Sequence, residues 1–541
     1  MWRGSQGLRT TIRRLNIHRL ARPAADRPTP HMNLTKQSLL LATLAVVLAL
    51  LTGCATSPPP ISSAQTLSGE EGAVVIRLIT NGAEANDPTE TLSSLTLKRE
   101  LPPGVQASAE DTAILRRTRE MTHSTAVFSG MVAPGRYRLS HATGSFANTT
   151  YTFPLAGRLG RFEVKPRELS LLGTLLVQPQ PGQRFLVGYL APDPELASTF
   201  QTLFPALAEQ TRGQAPNQFE PSAELSFAAT LAPAFRNLTT ALNGLESTTD
   251  GTLLAGSKMG RVIWRKPGEE RAQALQIDTW LEVLSVRPYR QGLLAAGEEG
   301  LLRYSSDEGK TWQALPAPAP GLIAAAEPLS NGQVLALVRR GTQWSAHVSD
   351  DPLVGGWRPL ARFEQERSIN LPWQNAIVLA GRDRAGVFMP NGELLVVDGR
   401  TGTLERRSIG VSTSGAQILA DGSLLAQGGN LTRTTYLSTD GGRQWRDLDT
   451  SRFVTAITAA NPQTLFAVAP VDPGIFAGTY ALMVSRDGGK TWKKSGEVPG
   501  GNPAQVRSLL VDRHDGALLA VLSQGRLMRS TDEGATWTRS R

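Results

Sequence analysis

The chain of 541 residues holds a single cysteine, Cys54, and only six histidines. One thiol excludes any disulfide within the chain and any zinc site built on cysteines. Four histidines follow residue 53, namely His123, His141, His347 and His514, and no two lie within five positions of each other. No local pair supports a metal site, and neither metal nor cofactor is expected. A long apolar run is also missing, because the stretch from Ser38 to Leu51 is too short to span a bilayer comfortably. Excess positive charge is missing from the body of the chain. The formal net charge of +9 belongs almost wholly to residues 1–53, which carry eight Lys/Arg against one acid, Asp26. From residue 54 onward there remain 48 bases and 46 acids, which gives no electrostatic reason to seek nucleic acid. What is present is globular: 40% hydrophobic residues, with 52 glycines and 35 prolines, exclude a mostly disordered chain. The length suggests two to four domains.

Residues 32–53 have the layout of a secretory signal. Lys36 supplies positive charge, an apolar segment follows, and small residues precede Cys54. The end, Leu51-Thr52-Gly53-Cys54, resembles the lipobox of bacterial lipoproteins. That resemblance implies cleavage before Cys54 and acylation of its thiol and new amino group, with enough acyl chains for stable anchoring. Ala55 in place of Asp at the next position resembles the outer-membrane sorting default, so the expected location is the bacterial outer membrane, lipid-anchored and facing the periplasm. Residues 1–31 read as an upstream extension or a mis-assigned start, and 54–65, with Ser57-Pro58-Pro59-Pro60, as an extended tether.

Residues 66–190 contain several short strand-like runs without helical periodicity, among them Ala73 to Ile79, Gly135 to Leu139 and Leu171 to Val177. They predict a small β-sandwich. Val132 to Tyr137 resembles the Pro-Gly-x-Tyr turn of prealbumin-like sandwiches, although an ordinary Pro-Gly turn accounts for it equally well. At 191–235 the chain reads as a helical segment and linker. Asp193-Pro194 is a helix start, Leu196, Phe200, Leu203 and Leu207 recur at helical spacing, and Pro205 should split the helix. Residues 213–235 read as linker.

The C-terminal half, 236–541, repeats one octapeptide four times: Ser305 to Trp312, Ser438 to Trp445, Ser485 to Trp492 and Ser530 to Trp537. Its pattern, Ser-x-Asp-x-Gly-x-Thr/Gln-Trp, resembles the Asp-box or BNR repeat. Chemically it is a hairpin tip: the aspartate accepts backbone N–H bonds within its own turn, glycine supplies the left-handed backbone, and tryptophan folds over the blade. Asp307, Gly309 and Trp312, with Asp440, Gly442 and Trp445, Asp487, Gly489 and Trp492, and Asp532, Gly534 and Trp537, are therefore read as structural. Successive boxes stand 47 and 45 residues apart, and Asp307 to Asp440 spans 133, close to three such periods. Degenerate turns at Asp351 and Asp398 fill that gap, and Pro267-Gly268 replaces the box in a first unit. The expected fold class is all-β: a seven-bladed β-propeller, an N-terminal β-sandwich and a short helical linker. The fourth unit is the least regular, so six or eight blades stay open.

Asp-box propellers include sialidases, whose first catalytic arginine sits in a Phe/Tyr-Arg-Ile-Pro motif. The nearest counterpart here, Val286-Arg287-Pro288-Tyr289, lacks the aromatic residue and the isoleucine, and no residue is nominated as catalytic. The architecture also resembles photosystem II assembly-factor propellers, which implies a non-catalytic protein-binding or assembly scaffold. A sialidase-like or other glycan-binding or hydrolysing propeller is the alternative. Partners are expected to be the membrane, through the lipid anchor, and an envelope protein or glycan. Arg339, Arg340, Arg452 and Arg526, on loops of one propeller face, are the candidate binding residues.

Overall fold

The computed structural model describes residues 60–540 except for stretches at 82–90, 119, 147–148, 181–183, 239–240, 366–376, 382, 420, 430–433, 449–453 and 472–477. Cys54 and the signal segment lie outside the described residues. No helix among the described residues is long and apolar enough to cross a membrane.

Gly72–Thr80 (β1) is buried at every position. The period of two along a strand divides it between two cores. Val74, Ile76 and Leu78 point into the interior of the N-terminal module, while Ala73 and Val75 point to the opposite face, beneath a helical layer. The module adds Leu92–Arg99 (β2), Thr112–Thr118 (β3), Ala126–Val132 (β4), Gly135–Phe146 (β5), Thr149–Pro154 (β6), Phe162–Val164 (β7), Leu169–Gln180 (β8) and Arg184–Leu190 (β9). The expected sandwich takes the form of one continuous sheet, in the order β6-β5-β2-β3-β4-β1-β8-β9 with β7 on β5. The sheet curls until its two edge strands meet. Phe153 of β6 and Phe185 of β9 stack edge to face at 4.4 Å, and Phe219 closes the same core against Phe162 and Tyr189.

The helical layer starts where the sequence places it. Asp193 caps Pro194–Leu203 (α1) by accepting the Leu196 amide at 2.6 Å, and a break at Phe204 separates it from Pro205–Gln210 (α2). Leu196, Phe200, Leu203 and Leu207 cover the outer face of β1. The stretch read as a linker is in part a third helix, Ala223–Phe235 (α3), capped by Ser222, whose Oγ accepts the Leu225 amide at 3.1 Å. Small residues and Pro233 near its end hide the helical period. It packs on β9 so closely that a Cβ at Gly188 would sit 2.9 Å from the Phe235 ring.

From Leu242 to Arg539 seven four-stranded antiparallel sheets follow in strict chain order, at 242–276, 283–314, 322–364, 377–408, 413–448, 456–496 and 506–539. These are seven propeller blades. The second strands, such as Val334–Arg340 and Leu518–Leu522, are apolar runs buried between neighbouring blades. Among the described residues no strand is exchanged to close the ring. Blade seven instead meets blade one through buried Asp512, which accepts from Ser247 Oγ and Arg265 Nη2, both at 2.6 Å. Leu253, Leu519, Val521 and Leu527 form the apolar part of that seam.

The module is seated on the propeller face where the second and third strands of blades one to three turn back. Met259 of blade one packs with Ile79, Leu176, Ala232 and Phe235. In blade two, the Glu298 carboxylate enters the module. Its Oε1 accepts the consecutive backbone amides of His123, Ser124 and Thr125 at 2.6, 2.8 and 2.9 Å, and its Oε2 accepts the Thr125 hydroxyl and the Glu282 amide. From blade three, the Gly341 amide donates to Glu120 O at 2.8 Å.

Candidate functional site

The four Asp boxes share one hydrogen-bond scheme, except that in the second Gln444 donates only its amide, to Asp440 Oδ1, and supplies no hydroxyl to Oδ2. In the third, Asp487 Oδ1 accepts from Ser485 Oγ and the Thr491 amide at 2.8 and 2.9 Å, and Oδ2 accepts the Thr491 hydroxyl at 2.6 Å. Ser485 Oγ in turn accepts the Gly489 amide. Trp492 Nε1 donates to Gly489 O at 3.1 Å, as Trp312 and Trp445 do to Gly309 and Gly442, while Trp537 makes no such bond. These donors, the threonine hydroxyl and amide foremost, hold the carboxyls of Asp307 and Asp532 down to about 2 and that of Asp487 lower still. Both oxygens are spent inside the turn, which leaves a poor general acid or base.

The glycines tie each box to the blade before it. All four have φ between +80° and +93°, and a Cβ on Gly309, Gly442, Gly489 or Gly534 would press on Leu275, Leu394, Leu448 or Leu482 respectively. The box is thus an inter-blade contact as well as a hairpin tip. Asp487→Ala should lower the melting temperature while leaving ligand binding by the folded fraction intact. Acid should act in the same direction. The stability contributed by Asp307 and Asp532 is complete above their ordinary 3.8 and is lost as the pH falls toward 2. Full stability of Asp487→Ala in a thermal melt would contradict this reading.

Of the arginines picked out on the loops, the three among the described residues are each engaged by neighbouring groups. Arg339 Nη2 donates to Thr122 O at 2.6 Å, and Arg340 reaches Glu120 at 3.3 Å and Thr202 O at 3.1 Å, so both are engaged by the N-terminal module. Arg526 donates to Gln505 within blade seven. Arg452 lies outside the described residues. The expectation of an open basic face there is corrected for Arg339 and Arg340: the sequence did not reveal that the module would cover blades one to three.

Near the axis, Arg287 on the innermost strand of blade two (Val283–Tyr289) lies between two carboxylates from neighbouring innermost strands. They are Glu246 of blade one at 2.9 Å and Glu327 of blade three at 2.7 Å. Burial opposes the charge on Arg287, but the two carboxylates outweigh it and raise its pKa. Burial raises Glu327 despite Arg287, as expected when one cation faces two acids. Arg513 reaches Glu246 at 3.6 Å. Arg287 therefore has its charge compensated from within the ring.

A different basic site lies between blades four and five. Arg384, Arg400 and Arg407 line a cleft of about 320 Å³ together with Asp421 and Asp440, whose carboxylates accept bonds from their own turns, and its apolar floor includes Leu379, Val396 and Ile418. Arg407 is buried and fixed by Glu405 and by Gly441 O. Arg384 and Arg400 are about half exposed and meet Asp398 and Asp383 only at 3.6 and 3.5 Å, beyond good hydrogen-bond length. Two loosely held guanidinium groups above an apolar floor suit an anionic group on an aliphatic body. Sequence reasoning missed this cleft because its arginines come from three different strands and turns.

A family model of the BNR/Asp-box repeat matches residues 483–494, the third box. No curated protein matches the chain. Among solved structures, YCF48 bound to D1 peptide is similar at 14% identity and a TM-score of 0.41, over 54% of this chain and 93% of that one. YCF48 from Cyanidioschyzon merolae is similar at 15% identity and a TM-score of 0.35, over 54% and 92%. The GH74 enzyme of Niastella koreensis is similar at 13% identity and a TM-score of 0.40, over 77% and 68%. At these identities the likeness is one of fold alone.

Proposed function

We propose that this chain is a lipid-anchored cell-envelope protein whose BNR-repeat propeller binds a protein partner without catalysis. The observation that carries the reading is the cleft between blades four and five. Arg384 and Arg400 there are charged, accessible and weakly paired, above a floor that can take an aliphatic segment. The ligand this chemistry suits is a carboxylate-bearing stretch of a partner polypeptide. The axial arrangement supports binding over hydrolysis, because Arg287 faces Glu246 and Glu327 rather than an open substrate site. The lipobox at Cys54 supports the anchored location, outer membrane and periplasmic side.

Pull-down from envelope extracts tests the binding role. The full chain should retain a discrete protein partner, and Arg384→Ala/Arg400→Ala should lose it without loss of stability. Retention of glycans alone on a glycan array, or undiminished capture by the double variant, would overturn it. Cys54→Ala should move the protein out of the membrane fraction. Turnover of a fluorogenic sialoside well above a heat-killed control, abolished by Arg287→Ala, would show that the axial arginine serves catalysis after all.

A further inference from the structure

Two adjacent carboxylates on one turn of blade two enter the seam with the module under opposite conditions. Glu298 receives five hydrogen-bond donors, as described above. Glu299 receives two, both on Oε2: Arg77 Nη1 at 3.0 Å and Thr199 Oγ1 at 2.5 Å. Its side chain is 0% exposed, and its Oε1 is buried without any partner. The backbone at Glu299 is held at φ 53°, a left-handed conformation that costs a non-glycine residue strain, while its amide donates to Met121 O at 2.9 Å.

The charges around Glu299 do not balance. Arg77, fully buried on β1, faces Asp193 at 3.3 Å and Glu195 at 3.8 Å at the head of α1, as well as Glu299. Arg303, on the third strand of blade two (Leu302–Ser305), reaches Glu195 at 3.9 Å and also feels the charge of Asp278. Asp278, on the connection from blade one, is fully exposed and lies near Arg236. Glu298 adds a further negative charge from the same turn, and behind it Glu282 pairs with His123 at 2.9 Å. Three carboxylates therefore share one close guanidinium group. An ionised carboxylate left with a bare oxygen in this setting is expensive, and a neutral carboxyl much less so.

We propose that a proton on the Glu299 carboxyl is part of the seam, so that the N-terminal module docks more tightly on blade two as the pH falls and more loosely as it rises. The oxygen concerned is sealed from solvent, which suits a proton rather than a larger cation. Among the described residues no group of three or more His, Cys, Asp or Glu side chains is arranged for a metal ion. Burial pushes the Glu299 carboxyl from its ordinary 4.5 up to about 7, against the pull of Arg77 and Thr199. Because the folded-state value is the higher one, the stability is fully present below pH 4.5 and is lost as the pH rises to about 7. Glu195 is raised in the same direction by burial.

The test is the pH dependence of docking in the full chain, read by hydrogen exchange of the segments around 121–125 and 297–301 across pH 5 to 8. Wild type should lose protection there by on the order of 100-fold as the pH rises through the window. Glu299→Gln, permanently neutral, should keep its protection and lose most of the slope, leaving whatever His123 contributes. Equal slopes in the two proteins would overturn the proposal. Thr199→Val gives a second measurement should Glu299→Gln fail to fold. Removing a donor to the ionised form should move the protection midpoint to higher pH, and an unmoved midpoint would also overturn the proposal. An infrared band of a protonated carboxyl should be present at pH 6 and absent at pH 8, and its absence at both values would do the same.

Discussion

Replacing Glu298 by alanine should unseat the N-terminal module from the propeller. The carboxylate is the single acceptor for three consecutive amides, those of His123, Ser124 and Thr125, and also for the Thr125 hydroxyl. Alanine would leave these donors buried and unmatched, at about 1–3 kcal/mol each, so that even partial relaxation leaves a loss on the order of 4 kcal/mol. The interactions that remain to oppose it are the apolar patch around Met259, the Arg77 cluster, the His123–Glu282 pair, the bonds of Arg339 and Arg340 to Thr122, Glu120 and Thr202, the Thr279–Glu195 bonds, and the backbone bonds to Met121 and Glu120. Calorimetry should show the module melting ahead of the propeller, and limited proteolysis should cut near the chain connection at residues 236–241. Glu298→Gln keeps one carbonyl acceptor for the three amides and should fall between the two. A single transition at the wild-type temperature in Glu298→Ala would mean that the remaining contacts hold the seam without it.

The contrast between the boxes and this seam explains what could be read in advance. A box is local: Ser485, Asp487, Gly489, Thr491 and Trp492 all interact within one turn, so their spacing in the sequence is already their geometry. Seven units at a steady period follow from it, including the turn at Asp398, which the structure places between the last two strands of blade four with its Oδ1 accepting the Arg400 and Thr401 amides. The seam is the opposite case. Arg77 meets Glu299 across 222 positions and Thr125 meets Glu298 across 173, and a lone arginine in an apolar strand gives no sign of its partner. Arg339 and Arg340 were read as free for the same reason. Helix α3 was missed on different grounds: Ala223–Phe235 is apolar and small-sided around much of its circumference, so no stripe of helical period stands out.

Arg287→Ala should produce the second large effect, and it should appear in stability rather than catalysis. The side chain crosses from blade two to touch Glu246 on one side and Glu327 on the other, all three largely buried. Its removal leaves two largely buried carboxylates without the cation between them. Loss of one member of a buried charge set typically costs about 3–5 kcal/mol, because the remaining charges keep their desolvation penalty without the attraction that offset it. Arg513, at 3.6 Å from Glu246, compensates that acid directly and exerts only a weaker, more distant pull on Glu327. The loss should therefore be relieved by neutralising Glu327. Arg287→Ala/Glu327→Gln should regain much of the denaturation midpoint, whereas Arg287→Ala/Glu246→Gln should regain less. Lowering the pH should also help the single variant, since burial already raises the Glu327 carboxyl and protonation removes the uncompensated charge. If Arg287→Ala were as stable as wild type but deficient in sialoside turnover, the arginine would belong to a substrate site and the ion set would be incidental. A stability deficit rescued by Glu327→Gln identifies the set instead as a structural clamp joining the innermost strands of blades one, two and three.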